Sequence, residues 1–352
     1  MPEHSVLQFF RKLATRRAMA FTIAPLVRWT PLTDPQPGYT LLVGCNHRLS
    51  GLLMANLAAL ARQKRDNLRE VVLVIDGSAE EVGFDVRERA GVVAPDLPVR
   101  VVHYNEKQRR VSRRIDWGWV YAWLSWCIGI GECSTRYAML HDFDALLLDP
   151  NVLEDRFREI QARHVEYLGI AYHAGGGTQE SDRLCRTFEL MFDAAFVRAN
   201  HKPIELFNTM RWMGGRRVEF DTFLNAQHQR GTRDIIPLPA DHMVHPSQMI
   251  CQFVDYLQGR GRVPTSNNLL MIPYYEFLGG DGTLMDDLTT QLRTAPSSGG
   301  VSLWGRTLDV AAIAPQHRAW MRKQAERMEA SLGPAPRPQV AAYFAAIEAT
   351  TQ

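Results

Sequence analysis

Residues 137–148 read Tyr137-Ala138-Met139-Leu140-His141-Asp142-Phe143-Asp144-Ala145-Leu146-Leu147-Leu148. An apolar run ends in two acids, and a second apolar run follows. In an extended segment, residues two apart project to the same side. Asp142 and Asp144 therefore aim at one point while Phe143 turns to the core. Two hard oxygen ligands in one place suit Mg2+ or Mn2+, which complete their shells with water and phosphate oxygens. Two turn aspartates that merely end a strand would read the same way in isolation. Their context favours a metal: the pair closes a strand inside an alternating pattern.

That pattern runs upstream. Tyr39 to Cys45 and Glu70 to Ile75 are short apolar runs suited to buried strands, and Val99 to Tyr104 is another. Leu49 to Gln63 has helical periodicity, and Asp116 to Ile130 reads as a helix. Strands alternating with helices predict an α/β fold with a mostly parallel sheet covered on both faces. Ligands gather at the carboxyl ends of such strands. Three polar clusters stand at predicted strand ends: Cys45-Asn46-His47, Asp76-Gly77-Ser78 and Asp142-Phe143-Asp144.

Downstream, Val152 to His164 is helical and Val165 to Tyr172 a strand, with His173 leading into the loop Gly175-Gly176-Gly177. That loop is either a cover for the site or a plain surface connection. Helices are expected over Ser181 to Asn200 and from about Glu219 to Gln229, with strand-like pieces at Asp234 to Leu238 and His242 to His245. Ala-rich helices are expected near 315–331 and 338–350. The organisation read from the sequence is an N-terminal helical extension (1–38), a catalytic domain (39–258) and a mainly helical C-terminal extension (259–352).

Forty basic and thirty-eight acidic residues leave a formal charge of +2, so global charge gives no argument for a nucleic-acid partner. Five scattered cysteines form no zinc or redox spacing, and Cys45, Cys127 and Cys251 sit among apolar residues. A reducing, cytoplasmic location is the expectation. No stretch approaches the ~20 apolar residues of a membrane span. The segment Val6 to Val27 mixes Phe9, Phe10, Leu13, Met19 and Phe21 with Arg11, Lys12, Arg16 and Arg17. It is expected to pack on the domain's flank, the alternative being an amphipathic helix resting on an anionic membrane.

Leu41 to Ser78, with its end in Val71-Val72-Leu73-Val74-Ile75-Asp76, resembles the nucleotide-binding first half of GT-A glycosyltransferases, and the 137–148 segment resembles their Asp-x-Asp strand. The resemblance covers about residues 39 to 250 and implies a GT-A (Rossmann-like) sheet with helical N- and C-terminal additions. It implies a hexosyltransferase moving sugar from a nucleoside diphosphate, UDP favoured, to a hydroxyl on a carbohydrate, lipid-linked or protein acceptor, with Mn2+ or Mg2+. Cys45 and Asn46 would then face the base, and Asp76 would bond the base or ribose. Asp142 would approach the ribose or a metal-bound water, and Asp144 would bind the metal. A late histidine often completes the ligand set; Asp241-His242-Met243-Val244-His245-Pro246-Ser247 offers two, of which His245 is preferred.

An inverting transfer, the favoured outcome, needs a carboxylate to take the acceptor's proton. Trp212-Met213-Gly214-Gly215-Arg216-Arg217-Val218-Glu219-Phe220-Asp221 resembles the Gly-rich, acidic acceptor motif of inverting relatives, although Phe220 separates the two acids. Asp221 is the first candidate base and Glu219 the second; capping of a helix start explains the same acids. Among Lys107-Gln108-Arg109-Arg110-Val111-Ser112-Arg113-Arg114, any of Arg109, Arg113 and Arg114 is a candidate diphosphate clamp. Trp119, Trp123 and Trp126 share a helix face and are expected in the core, while Trp117 could stack on a sugar. Two rival readings are a haloacid-dehalogenase-type phosphatase, pairing Asp142 and Asp144 with Gly280-Asp281-Gly282-Thr283, Asp286 and Asp287, and a non-catalytic carbohydrate- or partner-binding protein.

Overall fold

Leu41, Leu42 and Val43 are all fully buried, and so are Val71, Val72 and Leu73. Strands hidden on both faces need such continuous apolar runs, which is the signature of a parallel sheet under helices. The computed structural model describes residues 5–172, 176–237, 242–246, 248–260, 263–294, 300–332 and 337–350.

The chain opens with α1 (Val6–Ile23), capped by the Ser5 hydroxyl, which accepts from the Gln8 N–H. It continues through β1 (Gln36–Cys45), α2 (Ser50–Leu60), β2 (Leu68–Ile75), the short α3 (Ala79–Val82), α4 (Val86–Val93) and β3 (Val99–His103). Next come α5 (Glu106–Ile115), α6 (Gly118–Glu132), β4 (Thr135–Asp142) and the two-residue β5 (Leu146–Leu147). After α7 (Val152–Arg163) lie β6 (Tyr167–Ala171), β7 (Cys185–Asp193), α8 (Ala194–Asn200), β8 (Thr209–Met213) and β9 (Arg216–Phe220). The series α9 (Leu224–Gln229), β10 (Arg233–Ile236), β11 (Met243–Val244) and α10 (Met249–Leu257) follows. The chain closes with α11 (Ile272–Leu278), α12 (Thr283–Thr294), β12 (Gly300–Leu303), β13 (Arg306–Asp309), α13 (Pro315–Leu332) and α14 (Pro338–Glu348).

Seven strands form one sheet in the order β10-β6-β7-β4-β1-β2-β3. β1 runs parallel to β2 and β4, β2 to β3, and β10 to β6. β7 is antiparallel to both of its neighbours, β4 and β6. Successive side chains point to opposite faces. Leu41 and Val43 accordingly join a cluster with α2, α11, α13 and α14, whereas Leu42 joins α6 and α8. Trp123 and Trp126 are buried in the second cluster as expected, while Trp119 is only partly covered. The chain leaves β1 for β2 and β3 on one side and returns with β4 on the other. The β1–β4 boundary is therefore the switch point where open α/β sheets hold ligands.

Three expectations need correction. The helix expected over Ser181 to Asn200 is strand β7 followed by α8. Glu189, Leu190 and Met191 favour helix locally, but the slot between β4 and β6 makes them strand; Asp193 then caps α8, accepting from the Phe196 N–H at 2.8 Å. The helix expected from about Glu219 to Gln229 begins only at Leu224, because Gly214 and Gly215 take positive φ (50° and 80°) and close a β8–β9 hairpin that runs to Phe220. The basic run 107–114 lies within α5, which starts in a capping box of Asn105 and Gln108. Cys251, expected in apolar surroundings, is exposed, while the other four cysteines are buried and all five are free thiols. His173, Gly175, Leu238, Asp241 and Ser247 lie outside the described residues.

Candidate metal and nucleotide site

β4 delivers Asp142 at its last residue, and a turn carries Phe143 into the core and Asp144 beside Asp142. Short β5 follows at once and pairs antiparallel with β11, Leu147 opposite Met243 and Leu146 opposite Val244. Continuing that register places His245 opposite Ala145, next to Asp144. The ladder is reinforced by the Leu148 N–H donating to the His242 carbonyl at 2.8 Å. A two-residue pairing thus joins ligands a hundred positions apart in sequence.

The result is one three-donor cluster among the described residues: Asp142, Asp144 and His245, with ligand atoms within 4.8 Å of one another. His245 Nε2 lies 3.6 Å from Asp142 Oδ2 and 3.5 Å from Asp144 Oδ1. Two ligands at right angles on an ion with 2.0–2.1 Å bonds sit about 3 Å apart, so a small inward movement closes the set. Asp144 is 4% exposed, whereas Asp142 at 33% and His245 at 20% remain accessible. Burial pushes the Asp142 carboxyl up to about 6, helped by the Asp144 and Asp221 charges and opposed by His245. Burial also disfavours charge on His245, but Asp144 and Asp142 prevail and lift it to about 9. The proton on His245 stands in for a cation.

The turn is held from beneath. The Tyr275 hydroxyl donates to the Asp144 carbonyl at 2.8 Å, and Asn56 Nδ2 donates to the Ala145 carbonyl at 2.8 Å. Behind His245, buried Glu189 on β7 accepts from Arg156 Nε of α7 at 2.8 Å and meets His242 Nε2 at 2.5 Å. Burial opposes charge on Glu189, yet His242 and Arg156 outweigh it and hold its carboxyl below the ordinary range. This buried triad fixes the strand that carries His245 against the sheet.

The other expected residues are placed as follows. Cys45 is 3% exposed, its thiol pushed well up by burial and by Asp76 and Asp144, and it donates to the Asn46 carbonyl. The Asn46 side chain accepts from the Arg48 N–H. Asp76 accepts from the His47 N–H at 2.7 Å and contacts His47 Nδ1 at 2.7 Å. Gly77 permits this approach, since a Cβ there would meet the His47 Cβ at 2.6 Å. Arg113 pairs with Glu81 at 2.7 Å, Arg109 donates to the Tyr104 carbonyl at 2.6 Å, and Arg114 is exposed. Their helix follows β3, three strand spacings or about 14 Å from β4. The Glu81 hydrogen bond raises the Arg113 pKa, and the Asp76 charge adds to it.

Asp221 accepts from Asn208 Nδ2 at 2.8 Å and from the Thr222 N–H at 2.7 Å, and burial still raises its carboxyl. Its charge adds to the rise of Asp142, and Asp221 is not part of the three-donor cluster. Glu219 is engaged by α1 through Lys12 Nζ at 2.9 Å and through Arg16. Asp281 caps α12, accepting from the Thr283 N–H, and none of Asp281, Asp286 and Asp287 belongs to the three-donor cluster.

Sequence reasoning missed Arg186 and Phe188, both on β7. The Phe188 ring lies 4.8 Å from that of His245, and the Arg186 charge acts against protonation of His245. Once the segment is read as a strand, residues 186 and 188 share a face, which is the signal that was available.

No protein-family model and no curated protein matches the chain. Among solved structures it is similar to S. aureus TarS 1-349, at 13% identity and TM-score 0.41 over 88% of this chain and 90% of that one. It is also similar to the mannosyltransferase PcManGT from Pyrobaculum calidifontis in complex with GDP-Man and Mn2+, at 13% identity and TM-score 0.36 over 92% and 97%. A third is the galactosyltransferase LgtC in complex with donor and acceptor sugar analogs, at 11% identity and TM-score 0.35 over 47% of this chain and 62% of that one. Likenesses of this degree stop at general layout. On its own topology, a mostly parallel seven-stranded sheet under helices with its Asp-x-Asp turn at the switch point, the chain has the GT-A type of fold.

Proposed function

We propose that this protein is a divalent-metal-dependent glycosyltransferase that moves a hexosyl group from a nucleoside-diphosphate sugar, UDP favoured, to an acceptor hydroxyl. The observation that supports it most is the convergence of Asp142, Asp144 and His245 beside the sheet's switch point. Two carboxylates and an imidazole fit a first-row divalent ion, with the imidazole favouring Mn2+ over Mg2+. Three protein donors leave positions for the diphosphate oxygens. Bound there, the ion supplies charge neutralisation to the departing diphosphate.

The chain's own residues do the rest. Asp142, Asp144 and His245, the last as the neutral imidazole, would hold the ion, and Arg186 adds positive charge that acts on His245. Asp76 and the Cys45–Asn46 backbone border the nucleoside end. Asp221 accepts the acceptor hydroxyl's proton as its oxygen bonds to the anomeric carbon and the carbon–diphosphate bond breaks, giving glycoside and nucleoside diphosphate with inversion. A carboxyl raised by burial is a better base for that step than an ordinary one. Glu219, held by Arg16 and Lys12, positions α1 instead.

Calorimetric titration with UDP in the presence and absence of Mn2+ tests the reading. Wild type is expected to bind only with the ion, and Asp144→Ala to lose at least about a hundredfold in affinity while melting as wild type does. Equal binding by both proteins, or turnover of a simple phosphate ester in place of nucleotide binding, overturns it.

A further inference from the structure

Six large hydrophobic side chains are exposed among the described residues, and five of them lie together: Val6, Leu7, Phe10 and Phe21 on α1, with Trp212 on the hairpin beneath it. The sixth, Val92, stands alone. Leu7 is 80% and Phe21 87% exposed, an unfavourable state for such side chains in water unless something covers them.

Their placement on the helix is ordered. Phe9, Arg16 and Ile23 face inward, and Arg16 stacks 4.7 Å from the Trp119 ring centre and pairs with Glu219, so the helix is locked to the domain. Leu7, Phe10, Ala14, Ala18 and Phe21 follow spacings of three and four and are all exposed, forming one outward stripe. Arg11 and Arg17 flank it, and Arg28 is exposed just beyond. α1 contains no acid. Trp212 packs edge-on against Phe9 at 5.8 Å, on the inner side of the helix, and so lies off this stripe.

We infer that the outer face of α1 docks on an anionic lipid bilayer, with Leu7, Phe10 and Phe21 entering the headgroup boundary and Arg11 and Arg17 meeting lipid phosphates. An apolar stripe flanked by arginines and free of acids is the composition of an interfacial helix. No helix is long and apolar enough to cross a membrane, so the contact is with the surface. A second copy is the poorer occupant: a two-fold contact through this stripe would bring the same arginines together. The opposite face of α1 rests on the hairpin bearing Glu219, so the helix would lie between that hairpin and the bilayer. The inference stands apart from the transferase reading.

Co-sedimentation of the full chain with phosphatidylcholine vesicles, with and without phosphatidylserine, reads it directly. Wild type is expected to pellet with the anionic vesicles and to be released by salt. Arg11→Glu and Arg17→Glu should each lower partitioning at least about fivefold. Leu7→Ser, Phe10→Ser and Phe21→Ser combined should abolish pelleting, with melting temperature and Mn2+-dependent UDP binding unchanged. Wild type remaining in the supernatant, a triple variant that pellets like wild type, or a dimer lost in that variant without any vesicle binding overturns docking. Vesicle binding without UDP binding would leave docking intact and remove the transferase reading; the reverse result removes docking alone.

Discussion

At the scale of single residues, the candidate site is a problem in charge. Asp142 and Asp144 stand together with Asp221 in reach, and His245, lifted to about 9, balances them. The histidine must be neutral to ligate, so at neutral pH ion binding releases a proton. Apparent Mn2+ affinity should therefore rise about tenfold per pH unit from 7 toward 9 and then level. The stability linkage has the matching sign: a histidine raised in the folded state stabilises fully below its ordinary value of 6.5 and loses that contribution as pH climbs through about 9. Melting curves with and without Mn2+ should separate progressively over that interval; a constant gap would argue against His245 as ligand. Asp221→Asn should lower kcat by about 100- to 10,000-fold with little change in UDP affinity, as removal of a general base does. A matched loss of nucleotide affinity would make Asp221 part of the donor site instead.

At the scale of elements, the two-residue β5–β11 ladder and the buried triad behind it hold His245 in place. Glu189 receives both Arg156 and His242, and the three side chains come from β7, α7 and the approach to β11. Removing the carboxylate leaves the buried Arg156 guanidinium with only Glu159, 3.9 Å away, as counter-charge; breaking a buried ion pair typically costs about 3–5 kcal/mol. Glu189→Ala should show that loss in denaturant unfolding and should weaken Mn2+ binding, although the carboxylate is not itself in the three-donor cluster. The local sequence of β7 favours helix, and only its place between β4 and β6 makes it strand. The β8–β9 hairpin was legible in Gly214-Gly215, which is a two-residue turn signal.

At the scale of the whole molecule, the segment after residue 258 is built into the same core as the sheet. Tyr274, Tyr343 and Phe344 are buried with Leu41 and Leu73, the Tyr275 hydroxyl supports the Asp144 turn, and Ser331 donates to the Leu148 carbonyl. A chain ended at Gln258 would expose that surface, and we predict that it aggregates on expression; a soluble, cooperatively melting product would show the segment to be dispensable. Mixed ion pairs distribute the near-neutral charge over the surface, leaving α1 as the locally basic, apolar exception.

The sequence alone determined the alternating strands and helices, the central strand and the aspartate pair at its tip, because burial on both faces demands unbroken apolar runs and a two-residue period sets the direction of side chains. It could offer His245 and Asp221 only as candidates. The meeting of His245 with the aspartates, the redirection of Arg113 and Glu219 into ion pairs, and the packing of Phe188 against His245 were decided by tertiary pairing. Contacts between segments from 32 to 207 residues apart depend on strand order and register, which no local propensity encodes.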